Sequence, residues 1–134
     1  MTVETDIDRL FGALAKRDLA AAAAALAPDA VVWHNFDGIA NDRADTLASF
    51  ADLIKAFPEI AFHDVRRQAT PTGYVQQHVM AVKTADGRAK AWPICAVVRL
   101  ENGLVARVDE YLDRANSFAP DEGPLATPGF QPLA

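Results

Sequence analysis

Two dipeptides constrain this chain more than any other feature: Asp86-Gly87 and Asn102-Gly103. Each lies between long runs rich in β-branched residues. An Asx-Gly pair supplies the two left-handed residues that a two-residue hairpin turn requires. The runs are Tyr74 to Thr84, Arg88 to Leu100 and Leu104 to Asp113, preceded by Ile60 to Ala69 and the turn Thr70-Pro71-Thr72-Gly73. Four strands joined in this way form an antiparallel meander, and that excludes an all-helical or doubly wound fold for the second half of the chain.

The first half reads differently. Ile7, Leu10, Phe11 and Leu14 recur at the spacing of one helix face. Asp18 can cap a second helix through the alanines 20–25 to Leu26, with Pro28 as its stop. The alanine run is read as a strong helix former that packs closely, with no chemistry of its own. Ala30 to Phe36 is a first strand, closed by Asp37-Gly38. Asn41 or Asp42 caps a third helix with Leu47, Phe50, Ala51 and Ile54 on its apolar face, ending near Phe57-Pro58. The expected fold is therefore α+β: one domain over residues 1–113, with three helices against a curved antiparallel sheet. Residues 114–134 carry prolines at 120, 124, 128 and 132 and are expected to be a tail or a lid.

Charge and cysteine count narrow the function. Thirteen Lys and Arg against eighteen Asp and Glu leave a net charge of −5, which opposes binding to a nucleic-acid backbone. No apolar run is long enough to span a membrane, and the acidic start, Met1 to Asp6, lacks a signal-peptide pattern. The lone Cys95 forms no internal disulfide or metal cluster and fits a cytoplasmic setting. The three histidines, 34, 63 and 78, do not show metal-ligand spacing, and no glycine-rich phosphate loop is present. No cofactor and no metal are expected.

If both glycine turns are two-residue loops, Cys95 lies opposite His78 on one side and Glu110 on the other. The three then share one face at one level, with the flanking strands about 9.6 Å apart. A three-residue loop in either turn would break this set. One face of the middle strand offers Pro93, Cys95, Val97 and Arg99, and the other Trp92, Ile94, Ala96, Val98 and Leu100. One must meet the helices, and the other is too apolar to meet water over its whole area. The residues alone leave the two faces interchangeable.

Val31-Val32-Trp33-His34-Asn35-Phe36-Asp37-Gly38, after a helical start containing Arg17-Asp18-Leu19, resembles the nuclear transport factor 2-like superfamily. The closing string from Glu101 to Asp113, with Asp109-Glu110-Tyr111-Leu112-Asp113 at its end, is similar to its SnoaL-like and limonene-epoxide-hydrolase-like branch. The resemblance covers roughly residues 5–113 and implies a sheet curled into a cone, closed by the helices around a cavity for small hydrophobic molecules. It also implies a homodimer formed through the sheet. On that basis the His78–Glu110 face is expected to wall the pocket. The Trp92, Ile94 and Val98 face is expected to form the subunit interface.

The resemblance transfers residue by residue. The ketosteroid-isomerase base falls on Asn35, its tyrosine on Leu10 and its protonated aspartate on Cys95, so that mechanism is excluded. The limonene-type water holders fall on Trp33 and Asn35. One aspartate of that branch's acid–base pair falls on Glu110, and the strand that should carry its Arg-x-Asp offers Gln76, Gln77 and His78. The expected catalytic set is Glu110, His78 and Asn35. Glu110 is the acid–base, because a carboxylate stripped of water in an apolar hollow suits proton transfer. The expected substrate lining is Trp33, Cys95, Val97, Val108, Leu14, Phe50 and Ile54. His34, alternating with Trp33 and Asn35, is expected to point away. The implied activity is acid–base catalysis on a small hydrophobic substrate (hydrolase, isomerase, cyclase or lyase), with a slight preference for water addition. The alternative is a non-catalytic binding or dimerisation module.

Overall fold

The structure is a computed structural model that describes residues 4–114 and Ser117, with the backbone alone for residues 4–8. Apart from Arg114 and Ser117, the expected tail lies outside the described residues. Three helices, α1 (Glu4–Ala15), α2 (Leu19–Ala25) and α3 (Arg43–Ala56), pack on one side of a curved six-stranded sheet. The strands are β1 (Leu26–His34), β2 (Ala40–Asn41), β3 (Glu59–Thr70), β4 (Gly73–Lys83), β5 (Ala89–Glu101) and β6 (Leu104–Leu112). Their order is β2-β1-β6-β5-β4-β3.

Local chemistry explains the helix boundaries. The Asp18 carboxylate accepts from Ala21 N at 3.0 Å and the Asp42 carboxylate from Asp45 N at 2.8 Å, each satisfying an orphan donor of a first turn. The alanine run packs closely, with Ala22 and Ala25 buried. Its helix ends before Pro28, however. Leu26 has already turned to extended backbone, and Pro28 sits where the β1–β6 pairing is interrupted between Leu26 and Val31, a place where a missing N–H costs no ladder bond.

The sheet is mixed, not wholly antiparallel: β1 runs parallel to β6, with Val32 beside Val108 and His34 beside Glu110. The short β2 was also not evident in the sequence. On β3 a bulge between His63 and Arg66, with Asp64 in the left-handed region at φ 51°, bends the strand.

Both glycine turns form, but each hairpin is displaced by one residue from the expected register. At the first, Lys83 pairs with Ala89, Thr84 and Arg88 close the loop, and Gly87 takes φ 83°. This is a three-residue loop ending in a left-handed glycine. At the second, Asn102 (φ 52°) and Gly103 (φ 75°) do form a two-residue turn between Glu101 and Leu104, but a bulge between Arg99 and Leu100 shifts all later pairs. Consequently Cys95 faces Gln77 and Tyr111, while His78 faces Ile94 and Glu110 faces Ala96. The two displacements compensate. His78 and Glu110 still share a face, and it is the even-numbered side of β5 that lies between them.

Gly73 opens β4 under the β5 backbone, where an added Cβ would meet the Val98 carbonyl oxygen at 2.0 Å. Gly73→Ala is therefore expected to lower stability by about 1–3 kcal/mol, read as a reduced urea midpoint. An unchanged midpoint would show that the strand start relaxes freely.

Candidate functional site

The inner face of the sheet is organised in rows across the strands. Tyr74, Val98, Val108 and Val32 form a buried apolar row. The next row is polar: Arg67, Gln76, Ala96, Glu110 and His34 stand side by side on five strands. Beyond it come His78, Ile94 and Leu112, then Met80 and Trp92. The sheet's curl and the helices enclose a cavity of about 490 Å³ over these outer rows, lined by Leu14, Phe50, Phe62, His78, Ile94 and Glu110 among others. More of the lining is apolar than polar, and Glu110, His34 and His78 are the shielded polar groups in it.

The central contact is between His34 Nε2 and Glu110 Oε2, 2.9 Å apart. Only 23 % of the His34 side chain and 16 % of the Glu110 side chain are exposed, so the pair is shielded and its mutual attraction is strengthened. The Glu110 hydrogen bond and charge raise the His34 pKa above its usual value, against an opposing effect of burial. Asp37 adds to the rise, and Arg114 opposes it.

His78 is the opposite case. It is 2 % exposed, and burial pushes its pKa down to about 4 despite the nearby Glu110 charge; Arg67 adds to the fall. At neutral pH it is an uncharged imidazole. Phe11 and Phe62 meet its ring edge-on, each with centroids 5.0 Å away. Its Nδ1 lies 2.9 Å from Gln76 Nε2, and Arg67 Nε donates to Gln76 Oε1 at 2.6 Å.

The residues expected from sequence divide into two groups. Glu110, His78, Leu14 and Phe50 line the cavity. Asn35 does not: it is exposed at the end of β1, where its side-chain oxygen accepts from Leu112 N at 2.9 Å and extends the β1–β6 ladder. Trp33 projects from the outer face and meets Tyr111 edge-on at 5.3 Å. Cys95 and Val97 share that outer face because of the register displacement, and Val97 is 40 % exposed. Val108 belongs to the buried apolar row, and Leu53 on α3 and Phe57 at its C-cap reach the cavity where Ile54 does not. Trp92, Ile94 and Val98 turn toward the cavity and core, so they cannot form the subunit interface expected of them.

The main residue missed was His34. Its exclusion followed from aiming Trp33 and Asn35 inward, whereas the inward residues of β1 are Val32 and His34. The period-two alternation that buries Ala30 and Val32 carries on to His34, and it was the available signal. Among the described residues, no group of three or more His, Cys, Asp or Glu side chains is arranged to hold a metal ion. Nor is any described helix long and apolar enough to cross a membrane.

The profile of the SnoaL-like domain family matches residues 7–108. The chain belongs to the SnoaL-like domain family. No curated protein matches it. Among solved structures, this SnoaL-like chain is similar to a Xanthomonas campestris pv. campestris protein provisionally assigned as a polyketide cyclase. They share 19 % identity over 83 % of this chain and 90 % of that one, with a TM-score of 0.72. It is similar also to an LEH-like epoxide hydrolase from M. tuberculosis (18 % identity, 83 % and 82 % covered, TM-score 0.68). A third is an NTF2-like protein of unknown function from Burkholderia pseudomallei (22 % identity, 86 % and 94 % covered, TM-score 0.67). At these identities the likeness establishes the fold: three helices and a curved mixed sheet of the NTF2-like kind.

Proposed function

We propose that this SnoaL-like protein is a cofactor-independent acid–base enzyme acting on a small, largely hydrophobic substrate that carries a carbonyl oxygen. The observation that carries the reading is the shielded Glu110–His34 pair, at 2.9 Å, set in the wall of a mainly apolar cavity. His34 holds Oε2 of Glu110. The other carboxylate oxygen, which makes no hydrogen bond among the described residues, takes a proton from the carbon next to the carbonyl. The C–H electron pair becomes the enolate double bond, and the carbonyl π electrons move onto oxygen. His78 supports that oxygen as an uncharged donor, and Glu110 then returns the proton to the rearranged product.

Proton transfer fits this site better than water addition. Asn35, the expected water holder, is committed to Leu112 N on the outside of the cavity. Opening an epoxide also needs an acid that gives its proton away, and His78, with a pKa near 4, holds no imidazolium proton to give at neutral pH, while His34 is engaged with Glu110. The commitment of Asn35 equally favours the second reading, a ligand-binding module without turnover. Incubation with small cyclic ketones in D2O separates the two: wild-type protein should exchange the α-hydrogens, and Glu110→Gln should not. Binding without exchange in the wild type supports the module.

The same reading includes a homodimer built on the outer face. Val97 and Tyr111 are 40 % and 49 % exposed there, beside half-buried Trp33. Val97→Lys with Tyr111→Lys is expected to yield monomers by light scattering. A dimer that survives both changes would remove this face from the assembly.

A further inference from the structure

Gln76 is almost completely buried, at 1 % exposed, and both ends of its amide are used. Arg67 can only donate, so its Nε at 2.6 Å fixes Oε1 of Gln76 toward β3 and turns the NH2 toward His78. That NH2 can only donate in turn, and it meets Nδ1 at 2.9 Å, so Nδ1 must present a lone pair. The proton of the neutral ring is then on Nε2. This atom is shut off from solvent and has no hydrogen-bond partner among the described residues, in a ring that lines the cavity. A buried donor left unpaired costs free energy that a ligand acceptor recovers.

We infer that Arg67 and Gln76 form a tautomer lock: they hold His78 as the Nε2–H imidazole, so that it offers one neutral donor to an oxygen acceptor of the bound molecule. The ligand half rests on the cavity being a substrate site, whereas the lock is a property of the free protein. Gln76 and Arg67 are positioning residues here, since neither touches the substrate. The arrangement also sets specificity. It selects a carbonyl or ether oxygen over an ammonium or hydrocarbon group at that point, because a fixed donor leaves a second donor unpaired.

The lock is read directly by the 15N side-chain spectrum of the whole protein at neutral pH, with His78 assigned by the signal lost in His78→Phe. The expected result is a protonated Nε2 and an unprotonated Nδ1. A protonated Nδ1, or an average of the two tautomers, overturns the lock. Gln76→Glu retains the acceptor for Arg67 but turns a second acceptor toward Nδ1, and a proton is expected to appear there. Gln76→Met, which removes the donor without adding charge, serves if the Glu variant does not fold, with a measurable Nδ1–H fraction expected. An Nδ1 that stays unprotonated in the folded variant overturns the proposal.

The donor is tested with 2-decalone and decalin, which differ by one carbonyl oxygen. Decalone should bind wild-type protein roughly tenfold more tightly than His78→Phe, and decalin should bind both alike. Equal binding of decalone to the two proteins, or none to the wild type, overturns the donor role and leaves the proton given to the phenylalanine rings. Glu110→Gln reports separately on the acid–base reading, because it leaves the Arg67–Gln76–His78 chain intact.

Discussion

Glu110→Gln is expected to cut turnover by about 10²- to 10⁴-fold, the usual weight of a positioned general base, while the protein stays folded. The substitution preserves shape, and the new amide oxygen can still accept from His34 Nε2, so the contact across β1 and β6 survives in neutral form. Among the described residues, two carboxylates line the cavity, Glu110 and Asp37; Asp37 is exposed, so what is lost is the shielded one. A second readout guards against a trivial loss of folding. With the carboxylate gone, the His34 pKa should fall back from its raised value, because the Glu110 bond and charge are its largest supports. Full turnover in a folded variant would take Glu110 out of the mechanism.

Acid should destabilise the protein through His78 by about 3 kcal/mol, since burial holds that ring near pKa 4 against an unfolded value of 6.5. The sign follows from proton counting. Between the two values the unfolded chain binds a proton that the folded ring refuses, so stability rises with pH over this interval and is lost on descending through it. Glu110 pulls the ring the other way and Arg67 assists burial, while Phe11 and Phe62 contribute no charge. Urea unfolding of wild type and His78→Phe at neutral pH and near pH 4 isolates this contribution, because the carboxylates common to both cancel. The variant should lose less stability by roughly 2–3 kcal/mol. Equal losses would mean that His78 protonates freely in the folded state.

His34 acts in the opposite sense. Its folded pKa is raised, so its contribution is complete below about 6.5 and fades as pH climbs through the folded value. The two histidines thus narrow the protein's stability from opposite sides, one from acid and one from alkali.

The fold was legible because it depends on periodicity and punctuation. The Asp18 and Asp42 caps, the helix apolar faces and all four long strands come from signals a few residues wide. The site was less legible because it depends on parity. An extra residue in the Asp86-Gly87 loop and a bulge at Arg99–Leu100 each move a strand by one position, and one position exchanges its two faces. Neither leaves a mark that separates it from a regular hairpin. His78 and Glu110 survived because they straddle both displacements; Cys95 and Val97, lying between them, changed sides. For His34 the error was one of precedence. A transferred pair, Trp33 and Asn35, outweighed the alternation of β1, although the parallel neighbour that gives His34 its role could not be read from any local pattern.

That parallel neighbour has a consequence for how the molecule comes to life. Positions 34 and 110 belong to opposite ends of the domain, and only the final strand, slotting in between β1 and β5, joins them. No single hairpin contains the Glu110–His34 pair, because it spans two strands distant in sequence. Bringing such distant segments together is among the slower and entropically more expensive events in folding. Under the proposed acid–base function, recovery of activity during refolding should therefore trail recovery of the β3–β5 meander, and turnover would report that the last strand has docked.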